Sequence, residues 1–293
     1  MQNIDTSVTI CGKLWKNPIC TASGTFSWED SSQWYDPEKL GAVILKGVAP
    51  QKWQGNPTPR IAETYGGMIN SVGLQNPGVE SFIKNDLPKF IDADVIKIAN
   101  VAGHTIEEYI AVVESLNQTQ LDMLEINISC PNVACGGIGF GTDAHMAAEV
   151  VRKVKQAAKK PIIVKLTPNV TDITEIAKAV ESEGADAVSL INTLLGMKID
   201  VYRSQPVIKN KMGGFSGPAI KPVAVRMVYQ VRGAVKIPII GMGGVSSGED
   251  AAEFIMAGAN AVAVGTAALC SPTAPVDILK ELIQYMEKRS FKT

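Results

Sequence analysis

The chain has 293 residues, of which 46% are hydrophobic, with 28 Lys and Arg against 29 Asp and Glu. This length allows a large core, and a net charge of −1 provides no overall field to attract nucleic acid or an anionic membrane. Five scattered cysteines argue against a disulfide framework, and neither a signal peptide nor an apolar run of about 18 residues is found, so we expect a cytoplasmic protein.

Short apolar, β-branched runs alternate along the chain with segments of helical period, which is typical of repeated βα units. An N-terminal hairpin is expected at Val8–Ile10 and Lys13–Trp15, turning at Gly12. Eight strands are predicted at residues 18–22, 42–46, 95–99, 123–128, 162–166, 187–191, 237–240 and 261–264. The clearest helices are predicted at residues 106–116, 144–158, 173–183, 221–231, 249–256 and 276–288.

The boundaries of these units carry the expected signals. Asp143 and Asp172 are candidate N-caps, and Gly184 and Gly258 are candidate helix stops. Eight βα units in sequence predict an α/β fold, a TIM (β/α)8 barrel with an N-terminal β-hairpin and long active-site loops. An open doubly wound sheet is the alternative, but its G-x-G-x-x-G fingerprint does not follow the first strand. No change of composition indicates a linker, so we expect one domain over residues 1–293.

The active site of such a barrel lies at the C-terminal ends of its strands. Turn chemistry alone explains one asparagine at such a position, but two lysines and three asparagines in register favour a functional site. The residues found there are Ser23, Lys46, Asn100, Asn127, Cys130, Lys165, Asn192 and Thr193, followed by Gly243, Gly244, Gly265 and Thr266.

Two connections, residues 47–79 and 192–218, are longer than a barrel needs. Loops of this length usually close over ligands, although a simple surface excursion is the alternative. The first contains residues 70–74 (NSVGL), where a side-chain amide stands near a flexible glycine. We therefore expect this segment to contact a ligand.

Glycines after the last two strands indicate a phosphate site. Residues 241–245 (GMGGV) follow the seventh strand, and Gly265 follows the eighth, the usual phosphate position of a barrel. Lys165 is interpreted as a Schiff-base amine, a carboxylate partner or a fixed charge beside a group that becomes anionic, such as a reduced flavin. Periodicity alone does not separate a flavoenzyme from a Schiff-base aldolase.

Residues 127–132 (NISCPN) favour the flavoenzyme. Cys130 follows a strand, precedes a proline and stands beside a glycine-rich loop, which suits a thiolate general base acting next to a carbonyl. A lone cysteine is more often a small buried hydrophobe, and Cys135 is a weaker candidate for the same role. His104 and His145 are expected at the surface.

Six blocks of the sequence resemble the dihydroorotate dehydrogenase family, in order and spacing, over essentially the whole chain. They are residues 55–78, 125–132, 164–173, 189–196, 213–222 and 239–245. Cysteine rather than serine at position 130, without an N-terminal membrane-associating helix, resembles the class 1 members. The resemblance implies FMN-dependent oxidation of dihydroorotate to orotate in pyrimidine synthesis, with Cys130 as the base.

The residues implied by the resemblance agree with those at the strand ends. FMN would contact Ser23, Lys46, Gly47, Asn100, Asn127, Lys165, Ile191, Gly217, Gly243, Gly244, Gly265 and Thr266. The substrate would contact Lys46, Asn70, Ser71, Val72, Gly73, Leu74, Asn127, Asn192 and Thr193. Amides that donate and accept suit a ring of amide groups, and Lys46 suits its carboxylate. No metal ligand set is expected.

Within class 1, the sequence is most similar to the NAD-linked type B catalytic subunit. That family pairs the catalytic chain with a subunit carrying FAD and a 2Fe–2S cluster, so a homodimer within a heterotetramer is implied. This chain has only one close cysteine pair and no full dinucleotide fingerprint. Both features fit a chain that passes electrons to a partner subunit, and they fit the fumarate-linked type equally. A dihydropyrimidine dehydrogenase-like flavin domain and a catalytically silent assembly barrel are the remaining alternatives.

Overall fold

The computed structural model describes residues 4–129 and 139–289. Eight parallel strands form a closed barrel, in which each strand pairs with its neighbours in chain order and the eighth pairs with the first. The strands are Ile19–Thr21, Ala42–Ile44, Ile96–Val101, Met123–Asn127, Ile162–Lys165, Ala187–Leu190, Ile239–Met242 and Ala261–Val264. The predicted TIM barrel is confirmed.

Helices surround the barrel, and their ends follow the capping residues. The α-helices are Trp28–Ser31, Val79–Ser81, Ile106–Asn117, Ala144–Ala157, Ile173–Ser182, Lys221–Ala234, Gly248–Met256, Thr266–Cys270 and Ala274–Lys288, with shorter turns at Pro37–Lys39, Phe82–Asp86, Leu87–Lys89 and Pro218–Ile220. Asp143 accepts the N–H of Met146 at 2.9 Å and Asp172 that of Thr174 at 2.8 Å, so both predicted N-caps are confirmed. Within the described ranges, no helix combines the length and apolarity needed to cross a membrane.

The buried hydrophobic residues form an outer core, an inner core and a small third cluster of Ala62, Ile69 and Ile208. The outer core lies between the strands and the helices, and it includes Phe254 and Val262. The inner core lies within the barrel, where Ile10 and Trp15 of the N-terminal hairpin pack with inward-facing residues such as Met123. Strand Val8–Ile10 pairs with Lys13–Trp15, as predicted, and places both side chains in that core.

The seventh strand lies two residues later than predicted. It begins after Pro238, which has no N–H to give to the ladder although its carbonyl accepts from Val188 at 3.0 Å. Gly241 therefore lies inside the strand, paired with Leu190 and Val262, and not in a phosphate loop. A Cβ at this position would lie 2.6 Å from the ring of Phe254, so the glycine serves helix packing.

The two long connections are not structureless, because they meet in one antiparallel sheet. The first supplies Ile61–Thr64 and Gly67–Asn70, the second supplies Leu194–Met197 and Met212–Ser216, and we call these four strands the cover sheet. Its central pairing joins Asn70 to Gly214 and Met68 to Ser216. The second connection also forms a small ribbon of Ile199–Asp200 and Gln205–Pro206. The long loops thus form a second layer above the barrel.

We predict that Phe254→Ala lowers the free energy of unfolding by about 3–5 kcal/mol, because it removes a fully buried ring that packs against Gly241. Urea unfolding followed by circular dichroism measures the change. Tyr229→Ala is the matched control, since Tyr229 is 71% exposed and its loss should cost about 0.5 kcal/mol or less. Equal losses in the two variants would contradict this packing role.

Candidate active site

A cavity of about 470 Å³ lies between the cover sheet and the C-terminal ends of the barrel strands. Most of the predicted site residues line it: Ser23, Lys46, Gly47, Asn70, Ser71, Val72, Gly73, Leu74, Asn127, Lys165, Ile191, Asn192, Thr193, Gly243, Gly244, Gly265 and Thr266. Asn100 and Gly217 do not line it, but each lies against a glycine that does, Asn100 against Gly47 and Gly217 against Gly244. Cys130 and its weaker rival Cys135 lie outside the described residues. The structure therefore brings the strand-end residues and the long loops to one place.

Asn100 is wholly buried, and half of its amide has no partner. Its Nδ2 donates to Glu125 at 2.6 Å, while its Oδ1 is buried and accepts no hydrogen bond from the described residues. A Cβ at Gly47 would lie 2.7 Å from that Oδ1, so only a glycine lets the cavity wall lie this close to it. An unmatched buried acceptor costs about 1–3 kcal/mol, and a ligand with an N–H or O–H group would satisfy it.

Two lysines carry like charges into the cavity. Lys165 is only 6% exposed, and Lys46 is half-buried at the end of the second strand. Burial, and then the positive charge of Lys165, hold the pKa of the Lys46 ammonium below its ordinary value. The ion pairs found in the described part of the chain include neither amine. The pair is therefore placed to bind anionic groups.

A chain of hydrogen bonds links the ends of the fourth and sixth strands. Ser129 Oγ donates to Asn127 Oδ1 at 2.8 Å and accepts from Asn192 Nδ2 at 2.6 Å. Asn192 Oδ1 in turn accepts the N–H of Thr193 at 2.8 Å. The Asn127 carbonyl is fixed by the hydroxyl of Tyr109 at 2.7 Å. These contacts leave the Nδ2 of Asn127 without a partner among residues 4–129 and 139–289, on the cavity wall.

The segment from Asn70 to Leu74 is held rigidly against the cavity. Ser71 Oγ accepts from the side chains of Asn56 and Asn210, at 2.9 and 3.1 Å, and so ties the two long connections together. Gly73 has a φ of +74°, and a Cβ there would lie 2.6 Å from the Asn56 amide carbon. The hydroxyl of Ser71 thus has a structural task, while the segment from Asn70 to Leu74 lines the cavity.

Bare backbone forms the wall at the end of the seventh strand. Gly243 and Gly244 have φ values of +124° and +85°, a region that favours glycine, and both line the cavity. Gly217, also left-handed, packs its carbonyl 2.9 Å from where a Cβ of Gly244 would stand, so it supports this turn from behind. Lys221 fixes the neighbouring helices by ion pairs to Asp250 at 2.6 Å and Glu253 at 2.7 Å. Such a turn suits a phosphate group.

Three polar residues of the site did not stand out in the sequence. Ser129 joins two cavity amides, and Glu125 and Ser189 are both fully buried inside the barrel, where Ser189 Oγ donates to Glu125 at 2.7 Å. Glu125 and Ser189 lie in apolar strands, and Ser129 precedes Cys130, which is the stronger candidate in the sequence. Their hydrogen bonds join residues far apart in the chain, so they become visible only when the barrel closes. As expected, His104 and His145 are exposed. Among the described residues, no three His, Cys, Asp or Glu side chains cluster as metal ligands.

Comparison with known proteins gives a consistent result over the whole chain. The family model described as dihydroorotate dehydrogenase matches residues 6–286. A protein of Alkaliphilus metalliredigens named dihydroorotate dehydrogenase B (NAD(+)), catalytic subunit, is 58% identical over 293 residues, covering 100% of this chain and 97% of its own. Proteins of the same name are 56% identical in Alkaliphilus oremlandii, over 98% of this chain and 96% of theirs, and 53% identical in Oceanobacillus iheyensis, over 99% and 96%.

We predict that Lys46→Met stabilises the protein without ligand by about 0.5–2 kcal/mol, because it removes a buried charge that Lys165 repels. The pKa of Lys46 is lower in the folded protein than its ordinary value of 10.5. Between these two pKa values the unfolded chain binds more protons than the folded one, so the stability of the wild type rises with pH in that window. The advantage of the variant should therefore be complete at neutral pH and shrink as the pH approaches 10.5.

Urea unfolding at several pH values measures this effect in ligand-free protein. Lys236→Met is the control, because Lys236 is exposed and away from the cavity, and it should change stability by about 0.5 kcal/mol or less. A Lys46→Met variant less stable than the wild type at neutral pH would contradict the assigned repulsion.

Proposed function

The chain belongs to the dihydroorotate dehydrogenase family and oxidises dihydroorotate to orotate in pyrimidine biosynthesis, and we propose that the cavity beneath the cover sheet is the site of this reaction. The observation that carries the proposal is the convergence, at one barrel end, of two lysines and a buried Asn100 acceptor for which the described residues supply no ion pair and no donor. We further propose that residues 1–293 act as a single FMN-binding domain.

The residues around the cavity fit FMN. The volume of the cavity falls within the range of about 300–1,000 Å³ that is usual for ligand sites. Asn100 Oδ1 needs a donor and Lys165 needs an electron-rich partner, and a flavin ring offers both. The glycine turn suits its phosphate. The holding residues would be Ser23, Lys46, Gly47, Asn100, Asn127, Lys165, Ile191, Gly217, Gly243, Gly244, Gly265 and Thr266. When bound, FMN supplies the hydride acceptor of the reaction.

The opposite wall fits dihydroorotate. Lys46 would pair with the carboxylate, and Asn70, Asn127 and Asn192 would contact ring amides, because each side-chain amide both donates and accepts. Ser71, Val72, Gly73, Leu74 and Thr193 would complete the contact surface, with the cover sheet excluding water. The hydrogen bonds through Ser129 fix how Asn127 and Asn192 present their amides. Specificity would rest on this orientation.

Cys130 is proposed as the general base. Its Sγ would take the proton from the ring carbon next to a carbonyl, while the neighbouring carbon loses a hydride, so that the ring loses two hydrogens and gains a double bond. Support comes from Ser129, the last described residue before it, whose side chain joins two amides of the cavity wall. A thiol suits this role because its pKa of about 8.5 lies near physiological pH.

A second subunit is proposed to carry the electrons to NAD⁺ in the cytoplasm. The relatives are named catalytic subunits of an NAD(+)-linked enzyme, which favours this route over fumarate and implies a further chain. We propose that this chain holds FAD and a 2Fe–2S cluster, within a heterotetramer built on a homodimer. Exposed apolar side chains on and beside the cover sheet, such as Leu195, Ile199 and Tyr202, suit protein contacts.

We predict that Cys130→Ser slows flavin reduction by dihydroorotate about 100-fold or more and moves the pH at which the rate rises upward, because a hydroxyl ionises far less readily than a thiol. Orotate binding should change little. Anaerobic rapid mixing, following the loss of oxidised flavin absorbance at a series of pH values, measures both effects.

Cys135→Ser is the matched control and should keep the wild-type rate and pH profile. If Cys130→Ser retained the wild-type profile, or if only Cys135→Ser lost it, the base would have been assigned to the wrong residue.

We also predict that the purified chain, loaded with FMN, is bleached by dihydroorotate under anaerobic conditions but does not reduce NAD⁺ alone. Adding the co-purified second subunit should restore NAD⁺ reduction, measured by NADH absorbance, while fumarate should not reoxidise the flavin. Direct NAD⁺ reduction by the isolated chain, or rapid reoxidation by fumarate, would contradict the proposed electron route.

A further inference from the structure

A carboxylate lies inside the barrel, directly beneath the proposed flavin site. Glu125 is on the fourth barrel strand and is 0% exposed. Its two oxygens accept from Asn100 Nδ2 at 2.6 Å and from Ser189 Oγ at 2.7 Å. The ion pairs seen in the described ranges do not include it. A buried carboxylate is costly, so its presence needs a reason.

Glu125 determines which way the Asn100 amide points. A carboxylate accepts hydrogen bonds and donates none, so the amide must turn its Nδ2 towards Glu125. The Oδ1 of Asn100 then necessarily faces away from Glu125, towards the backbone of Gly47 on the cavity wall, where it has no described partner. A neutral, apolar residue at position 125 would impose no such choice. Glu125 therefore fixes Asn100 as an acceptor in the site.

Glu125 also lies where its charge opposes that of Lys165. In the strand register, Asn127 is opposite Lys165, and Glu125 is one inward position below Asn127 on the same strand. Lys165 is in turn opposite Ser189, the second donor to Glu125. Both charges act on the buried thiol of Cys20. Burial raises the pKa of this thiol most, Glu125 raises it further, and Lys165 lowers it. The two charges thus act on the same part of the barrel interior.

We propose that Glu125 is a positioning residue of the flavin site, which orients Asn100 as an acceptor and offsets the two lysines so that bound reduced FMN is not held too tightly. The proposal rests on the proposed FMN site. Lys46 and Lys165 alone would favour the anionic reduced flavin, and a flavin that hands electrons to a partner must be readily reoxidised. The negative charge of Glu125, behind Asn100, limits the preference of the site for reduced over oxidised flavin.

Glu125→Gln tests the charge with little change of shape. The amide oxygen of glutamine can still accept from Asn100, and its nitrogen can donate to Ser189 Oγ, so both contacts are kept, with the serine now accepting instead of donating. We expect the variant to favour reduced over oxidised FMN by about tenfold or more, which is about 30 mV in the midpoint potential of a two-electron couple. Spectroelectrochemical titration of the FMN-loaded chain measures the potential.

Ser189→Ala is the matched variant, because it removes one donor to Glu125 and keeps the charge. Its reduced-to-oxidised preference should stay within about threefold of the wild type. An unchanged potential in Glu125→Gln, or a shift of about tenfold in Ser189→Ala, would overturn the proposal. Failure of Glu125→Gln to hold FMN would also overturn the proposal, because removal of the negative charge should strengthen the hold of the two lysines on the flavin.

Failure of this inference is distinguishable from failure of the proposed function. A wild-type chain that binds no FMN in the cavity, or whose flavin is not bleached by dihydroorotate, would refute the proposed function. A wild-type chain that is bleached normally, together with an unaltered potential in Glu125→Gln, would refute only the role given to Glu125.

Discussion

Inside a closed barrel, alternate side chains of every strand point towards the axis, and together they must fill it. At the hairpin end this constraint is met by apolar groups, among them Ile10, Trp15 and Met123. Towards the other end, the same inward positions carry Glu125, Lys165 and Asn100, which are buried and polar. The inner core therefore changes character along its axis, and the polar half keeps hydrogen-bonding capacity that residues 4–129 and 139–289 do not satisfy.

That unsatisfied capacity destabilises the ligand-free protein and defines the site. The orphaned Asn100 oxygen and the like-charged pair Lys46 and Lys165 each cost stability, and both costs fall when a ligand supplies a donor and negative charge. The large hydrophobic outer core provides the stability that tolerates them. The cover sheet completes the arrangement, because it covers part of the polar end and adds Asn70 and Ser216 to the cavity wall.

The sequence predicts the barrel well because its strands are local apolar runs and their ends share one edge by topology. For the same reason Lys165 and Asn127 are predicted in register, and they are found opposite each other. The cover sheet escapes prediction because its strands are short, three of the four contain glycine, and its central pairing joins Asn70 to Gly214, which are 144 positions apart. Glu125 escapes for a similar reason, since its partner Ser189 is 64 positions away and only barrel closure brings them together.

The most direct test of the central claim is a crystal structure of the chain with FMN and orotate bound. The polar end of the inner core predicts a flavin donor within about 3.2 Å of Asn100 Oδ1, Lys165 Nζ against the flavin ring and the orotate carboxylate at Lys46. FMN bound elsewhere, or bound in the cavity while Asn100 Oδ1 still lacks a ligand donor, would contradict the view that these buried polar groups exist to hold the cofactor.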